Sequence, residues 1–224
     1  MHRPKGVSIH ILPAFFAALV TVSSQGSMIA SPNLEKAEGL IRENKASEAV
    51  KVLKELKPLE RERARFFFLQ GRALQDLRRN TEALQSYSVS IFLDGANAKS
   101  FINRGLVKGA LKDLNGAMDD LNHALELNPR SKEAYLNRGV TNAGLNKINN
   151  SIYDFTQSIL LDQEYADAYR NRGLTYSFLG KRDQACRDWA RAVELGQAEV
   201  QSWINETCQK PNKTKLPQSK PKVR

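Results

Sequence analysis

Asn103-Arg104-Gly105, Asn137-Arg138-Gly139 and Asn171-Arg172-Gly173 are three copies of one triplet, each 34 residues after the last. Gly71 keeps the same interval ahead of them, without the Asn-Arg pair. Four residues before each glycine stands an aromatic ring: Phe67, Phe101, Tyr135 and Tyr169. Twelve residues after it comes a small side chain (Ala83, Ala117, Ser151, Ala185), and sixteen after it a large apolar one (Tyr87, Leu121, Phe155, Trp189). A second small residue follows at nineteen (Ser90, Ala124, Ser158, Ala192), and Leu93, Leu127, Leu161 and Leu195 close the units. Self-similarity at a fixed period of this length marks a chain of stacked supersecondary units, none of which buries its apolar face alone.

Each unit divides into two amphipathic segments of three to four helical turns. Segment A carries the aromatic residue and the glycine; segment B carries the small–large–small series. Small residues let helices approach where large ones interlock. A glycine in mid-helix costs about 1 kcal/mol against alanine. Its recurrence at one place predicts that a neighbouring helix occupies the room. Turn residues fall between units at Asp94-Gly95, Asn128-Pro129 and Gly196.

The period, the small-residue series and the closing Leu-Asn-Pro at Leu127-Asn128-Pro129 resemble the tetratricopeptide repeat (TPR). Units 64–97, 98–131, 132–165 and 166–199 carry the pattern. A unit at 30–63 falls in register with Ala37, Ala49 and Leu53, though Asn33 stands where the aromatic belongs. The resemblance implies an all-α, helical-hairpin solenoid, a right-handed superhelix that binds peptides in its concave groove. An array end exposes an apolar face. Residues 200–209, with Val200, Trp203 and Ile204, are the expected C-terminal capping helix. The family's groove positions lie three before, one after, and four or five after the glycine. They implicate Phe68, Ile102, Leu106, Leu136, Val140, Leu174 and Phe178, with Arg170 and also Arg65, Arg72 and Lys99 toward the ends. Packing within the array is the other reading of these apolar residues, although the pattern demands no core partner for Leu106 or Leu136. The clamp that some members use for carboxylate tails needs Lys and Asn where this chain has Phe68, Arg72 and Leu106, which disfavours such ligands.

The chain has 224 residues, a formal charge of +10, and 41% hydrophobic residues, a globular composition. The ends carry most of the charge. His2, Arg3 and Lys5 precede an apolar run, Ile11–Val20, and then Ser23, Ser24, Gly26 and Ser27. That run is short for a span of ~20 residues and fits the core of an export signal. Residues 1–26 are expected to be a signal peptide, with an N-terminal anchor as the alternative and a start at Met28 as a third. Residues 210–224 hold Lys210, Lys213, Lys215, Lys220, Lys222 and Arg224, three prolines and no acid. They are expected to be a disordered basic tail, with membrane-surface contact as one use. No aromatic residues interleave these lysines, and the array itself is nearly neutral, which disfavours nucleic acid as a partner.

Arg104, Arg138 and Arg172 are each followed sixteen residues later by Asp120, Asp154 and Asp188. The unit lacking the arginine (Gln70) also lacks the acid (Ser86), so pairing within a unit is preferred over pairing across units; two solvated surface charges are the other reading, and either role is structural. Cys186 falls on the last B segment and Cys208 on the cap that packs against it; this ending also resembles that of many exported bacterial TPR proteins. An oxidising compartment permits a Cys186–Cys208 disulfide, against two unrelated thiols. No phosphate loop, nucleophile elbow or zinc motif occurs, and His123 stands on a polar helix face. The expectation is therefore no catalytic residue, no metal and no cofactor, and a protein or peptide partner for an exported scaffold. The alternative is an envelope-associated structural protein held by its N-terminal segment and basic tail.

Overall fold

The computed structural model describes residues 32–208; the expected leader at 1–26 and the basic tail at 210–224 lie outside them. Among the described residues there are eleven α-helices and no strand. They are α1 (Pro32–Arg42), α2 (Ala46–Glu55), α3 (Arg63–Asp76), α4 (Asn80–Leu93), α5 (Ala98–Ala110), α6 (Leu114–Leu127), α7 (Lys132–Gly144), α8 (Ile148–Leu161), α9 (Ala166–Phe178), α10 (Arg182–Glu194) and α11 (Gln201–Thr207). Each odd helix up to α9 packs antiparallel on the even helix after it, which makes five hairpins. Odd helices of neighbouring hairpins also pack on one another, α1 on α3, α3 on α5, α5 on α7 and α7 on α9. No comparable packing joins the even helices. Crowding the odd helices makes their side the inner, concave one. The fold is an all-α helical-hairpin solenoid.

Local chemistry sets the joints. Side chains cap three helix starts: Asn97 accepts from Ser100 N, Asp113 from Gly116 N and Ser131 from Ala134 N. Between hairpins, Asp94, Asn128 and Asp162 turn the chain by accepting from the backbone N–H two residues on. Within hairpins the turn residue is left-handed at Asn44, Arg78, Lys112, Asn146 and Gly180, again at 34-residue intervals. Only one of the five is glycine, because the carbonyls freed at the end of each odd helix are met by this tight reversal whatever residue stands there.

The recurrent glycines are contact points. A Cβ on Gly139 would lie 2.6 Å from Phe155 Cε1, one on Gly173 2.5 Å from Trp189 Cδ1, and one on Gly71 2.7 Å from Tyr87 Cε1. The large residue of segment B thus sits against the bare backbone of segment A, and Tyr87, Phe155 and Trp189 are buried there. Burial raises the Tyr87 phenol well above its ordinary pKa, and the hydroxyl donates to Gln75 Oε1 at 2.8 Å. Further apolar clusters lie between hairpins: Phe101 and Ile102 with Ala124, Leu125 and Ala134, and Leu136 with Phe155, Ile159 and Ala168.

At the C-terminal end, Val200, Trp203, Ile204 and Cys208 cover Ala185, Trp189 and Ala192, with the two indole rings 5.6 Å apart. Cys186 and Cys208 are joined as a disulfide with their Cα atoms 5.9 Å apart, across 22 residues. Helix α11 has only seven residues and no fully buried side chain, so the covalent link is its firmest hold. Closing a loop of this length contributes about 3 kcal/mol by loss of unfolded-chain entropy. Reducing the bond should therefore free α11 while the hairpins persist. Limited proteolysis with and without reductant checks this: cleavage should appear first between Leu195 and Cys208, and equal resistance in both states would remove the disulfide from that role.

Candidate functional site

The concave face is built by one helical position repeated. Leu106 on α5, Val140 on α7 and Leu174 on α9 are spaced by 34 residues and occupy equivalent places on adjacent helices. They are 41%, 46% and 42% exposed, and Phe178, one turn beyond Leu174, is 72% exposed. Small neighbours, Gly109, Ala110 and Ala143, keep the floor open beside them. Near Phe178 the floor deepens into a cleft of about 210 Å³ lined by Ala143, Asn146, Ile148, Leu174, Thr175 and Phe178. A second row, Asn103, Asn137 and Asn171, runs parallel, half-buried, three residues before the apolar one on each helix. Asn103 and Asn171 donate Nδ2 to the Lys99 and Asp167 carbonyls one turn back, which fixes their carboxamides.

The residues expected in the groove therefore divide. Leu106, Val140, Leu174 and Phe178 are on the open face. Ile102 and Leu136 are not: they are 8% and 9% exposed and belong to the core. The expectation that Leu136 has no core partner is corrected, because Ala168 of the next hairpin and Phe155 of its own close over it. Ile102 is covered in the same way by Ala134. Phe68 is half-buried, packed on the first core cluster with its ring 6.1 Å from Tyr87. Arg170 is engaged by Asp167 at 3.1 Å and Glu199 at 3.8 Å, so it ties α9 to the chain after α10.

At the other end, Arg65 of α3 is held by Glu35 and Glu38 of α1 at 3.0 and 2.5 Å. Its hydrogen bond holds the Glu38 carboxyl below the usual carboxylate range, against a smaller opposing effect of burial. This strap is present above the ordinary carboxylate pKa and is lost as pH falls through the lowered one. Arg72 and Lys99 have no carboxylate within ion-pair distance among the described residues. A larger cleft of about 770 Å³ opens at the hairpin turns between Lys45, Glu48, Asp76, Arg78 and Leu106. Its charges alternate in sign and define no single complementary ligand.

Buried ion pairs stand within hairpins, as the joint presence of the two residues indicates. Arg104 meets Asp120 at 2.7 Å, Arg138 meets Asp154 at 2.8 Å and Arg172 meets Asp188 at 2.8 Å. Each guanidinium also reaches back to the previous hairpin, donating to Ser88, Asn122 and Thr156 respectively. Each lies near an aromatic ring four or fewer residues before it, Phe101, Tyr135 and Tyr169, at 5.4–5.8 Å. The arginine is thus a rivet between two hairpins. Elsewhere, burial pushes the Tyr165 phenol up to about 12, beneath the Lys132 ammonium at 4.7 Å. His123 is engaged with Glu126 at 3.0 Å on the outer surface. Among the described residues no group of three or more His, Cys, Asp or Glu is arranged to hold a metal ion, and no helix is long and apolar enough to cross a membrane.

Residues 98–131 match the family model of the tetratricopeptide repeat. No curated protein matches the chain by sequence. Among solved structures, TTC0263, a thermophilic TPR protein of Thermus thermophilus, superposes with a TM-score of 0.68 at 16% identity, covering 79% of this chain and 97% of its own. MamA (41-end) from Desulfovibrio magneticus RS-1 gives 0.62 at 18% identity, covering 75% and 98%. YrrB, described as a TPR protein with an unusual peptide-binding site, gives 0.59 at 21% identity, covering 79% and 92%. At these identities the likeness is one of fold.

Proposed function

We propose that this chain, a tetratricopeptide-repeat protein, is a non-catalytic adaptor that captures a protein or peptide through its concave face. The observation that carries the reading is the row Leu106, Val140, Leu174 with Phe178. Four large apolar side chains on successive odd helices remain 41–72% exposed, although neighbours on the same helices such as Leu136 are buried. Exposed apolar residues gathered in a concave strip suit a partner's side chains, and the parallel asparagines present carboxamides to its backbone. The peptide-binding site described for YrrB, a protein of the same fold, supports the reading. The partner is expected from a compartment beyond the cytosol, because a disulfide such as Cys186–Cys208 persists where the medium oxidises and residues 1–26 read as an export signal. For an exported array, the six basic residues of 210–224 suit contact with an anionic membrane surface.

The test is a set of surface changes on the intact chain. Leu174→Ser with Val140→Ser should leave helicity and melting temperature close to wild type, since both residues are over two-fifths exposed. Co-purification from the native source should lose the partner at least tenfold. Partner recovery unchanged by both substitutions would place the interaction elsewhere and end the groove reading. Amino-terminal sequencing of the native protein addresses export separately: a start near Gln25 or Ser27 is expected, and an intact Met1 in the cytosolic fraction would contradict it.

A further inference from the structure

We infer that the groove's ligand is a peptide in the polyproline II conformation that carries an apolar residue at every third position and an acid three residues beyond the last of them. The inference rests on the groove reading above and specifies its ligand. The concave row is Arg72 on α3, then Leu106, Val140 and Leu174, each 34 residues after the one before. One cation is followed by three apolar residues along a line that crosses α3, α5, α7 and α9.

The spacing of that line selects the ligand's backbone. Packed helices lie about 8–10 Å apart. A β-strand returns to one face every second residue, about 6.7 Å, and falls out of step after one repeat. A polyproline II helix returns every third residue, about 9.3 Å, and stays in step across three helices. An α-helix returns to one face every turn, about 5.4 Å, so the interval falls between one turn and two, about 10.8 Å. A polyproline II segment also leaves its backbone carbonyls and amides unpaired, and the carboxamides of Asn103, Asn137 and Asn171 run beside the apolar row to meet them.

Charge sets the remaining position. Arg72 is half-buried on the groove side and has no carboxylate within ion-pair distance among the described residues. Glu38, the equivalent residue on α1, feels the charge of Arg72 but is hydrogen-bonded by Arg65. Lys99, exposed at the start of α5, is a second cation with no ion pair among the described residues. An acid on the ligand, three residues from the apolar residue seated at Leu106, completes the row.

The probes are fluorescein-labelled ten-residue peptides titrated by fluorescence anisotropy into the full chain. Two carry leucines at every third position with prolines between them and an aspartate at one end or the other, so that both chain directions are sampled. Companion peptides space the leucines by two, place them on an alanine-based helix, or replace the aspartate by lysine. One of the two aspartate peptides should bind at least tenfold more tightly than its spacing-two, helical and lysine companions. Arg72→Glu should weaken the aspartate peptide at least tenfold and restore the lysine peptide. Equal or tighter binding of the spacing-two or helical peptide, or no charge compensation at Arg72, overturns this inference. In those cases sensitivity to Leu174→Ser with Val140→Ser still supports the groove. Insensitivity to that pair, or no binding by any peptide at 1 mM, overturns both.

Discussion

Asp154→Ala is expected to destabilise the array by about 3–5 kcal/mol, the cost of leaving one partner of a buried ion pair without the other. The Asp154 side chain is 2% exposed and receives three donors: Arg138 Nε and Nη2, and the Asn142 carboxamide at 2.8 Å. Truncation strands a guanidinium that is only one-fifth exposed together with a buried amide. The pair's attraction is largely offset by the desolvation of both charges, so removing both is far milder. Arg138→Leu with Asp154→Leu should recover most of the loss. Urea unfolding of the single and double variants measures this. A loss under about 1 kcal/mol for Asp154→Ala would mean a pair that behaves as an exposed surface one.

Phe155→Ala should cost a similar amount, about 3–5 kcal/mol, through lost burial and the cavity left behind. The informative companion is Gly139→Ala. Alanine is the better helix former by about 1 kcal/mol, yet its methyl would stand 2.6 Å from the Phe155 ring. In the wild-type background the clash should prevail, for a net loss of about 1–3 kcal/mol. In the Phe155→Ala background the ring is gone, and the same substitution should stabilise. This reversal of sign on thermal or chemical melting identifies the recurrent glycine as room for the partner helix. A Gly139→Ala effect of the same sign in both backgrounds would refute that account.

The hairpin architecture was legible because one physical requirement repeats: bare backbone opposite a large apolar side chain writes Gly71, Gly105, Gly139 and Gly173 at one interval. The Arg–Asp pairs were legible because Gln70 and Ser86 depart together. Their second partners, Ser88, Asn122 and Thr156, were not, since three unlike side chains share only the ability to accept a hydrogen bond. The left-handed turn residues Arg78 and Lys112 gave no sign either, because neither side chain favours that conformation and the helix end imposes it. In the groove, Leu136 and Val140 are both apolar and four residues apart, so composition could not divide them. What divides them is a residue in another unit, Ala168, which covers the first and leaves the second open.

The arginine rivets are unevenly distributed along the chain. Arg104, Arg138 and Arg172 fasten the second, third and fourth joints between hairpins, and the disulfide fastens the last helix. The first joint has no such arginine; its polar tie is the part-exposed set of Glu35, Glu38 and Arg65, and beneath it one apolar core runs from Leu34 and Leu53 through Phe66 and Leu69 to Tyr87. In a linear array stability is a sum of nearest-neighbour couplings, so the joints are fastened by different means. A break that starts at one of them therefore meets a different obstacle at the next: wetted apolar surface at the first, and a guanidinium stripped of its acceptors at each later one.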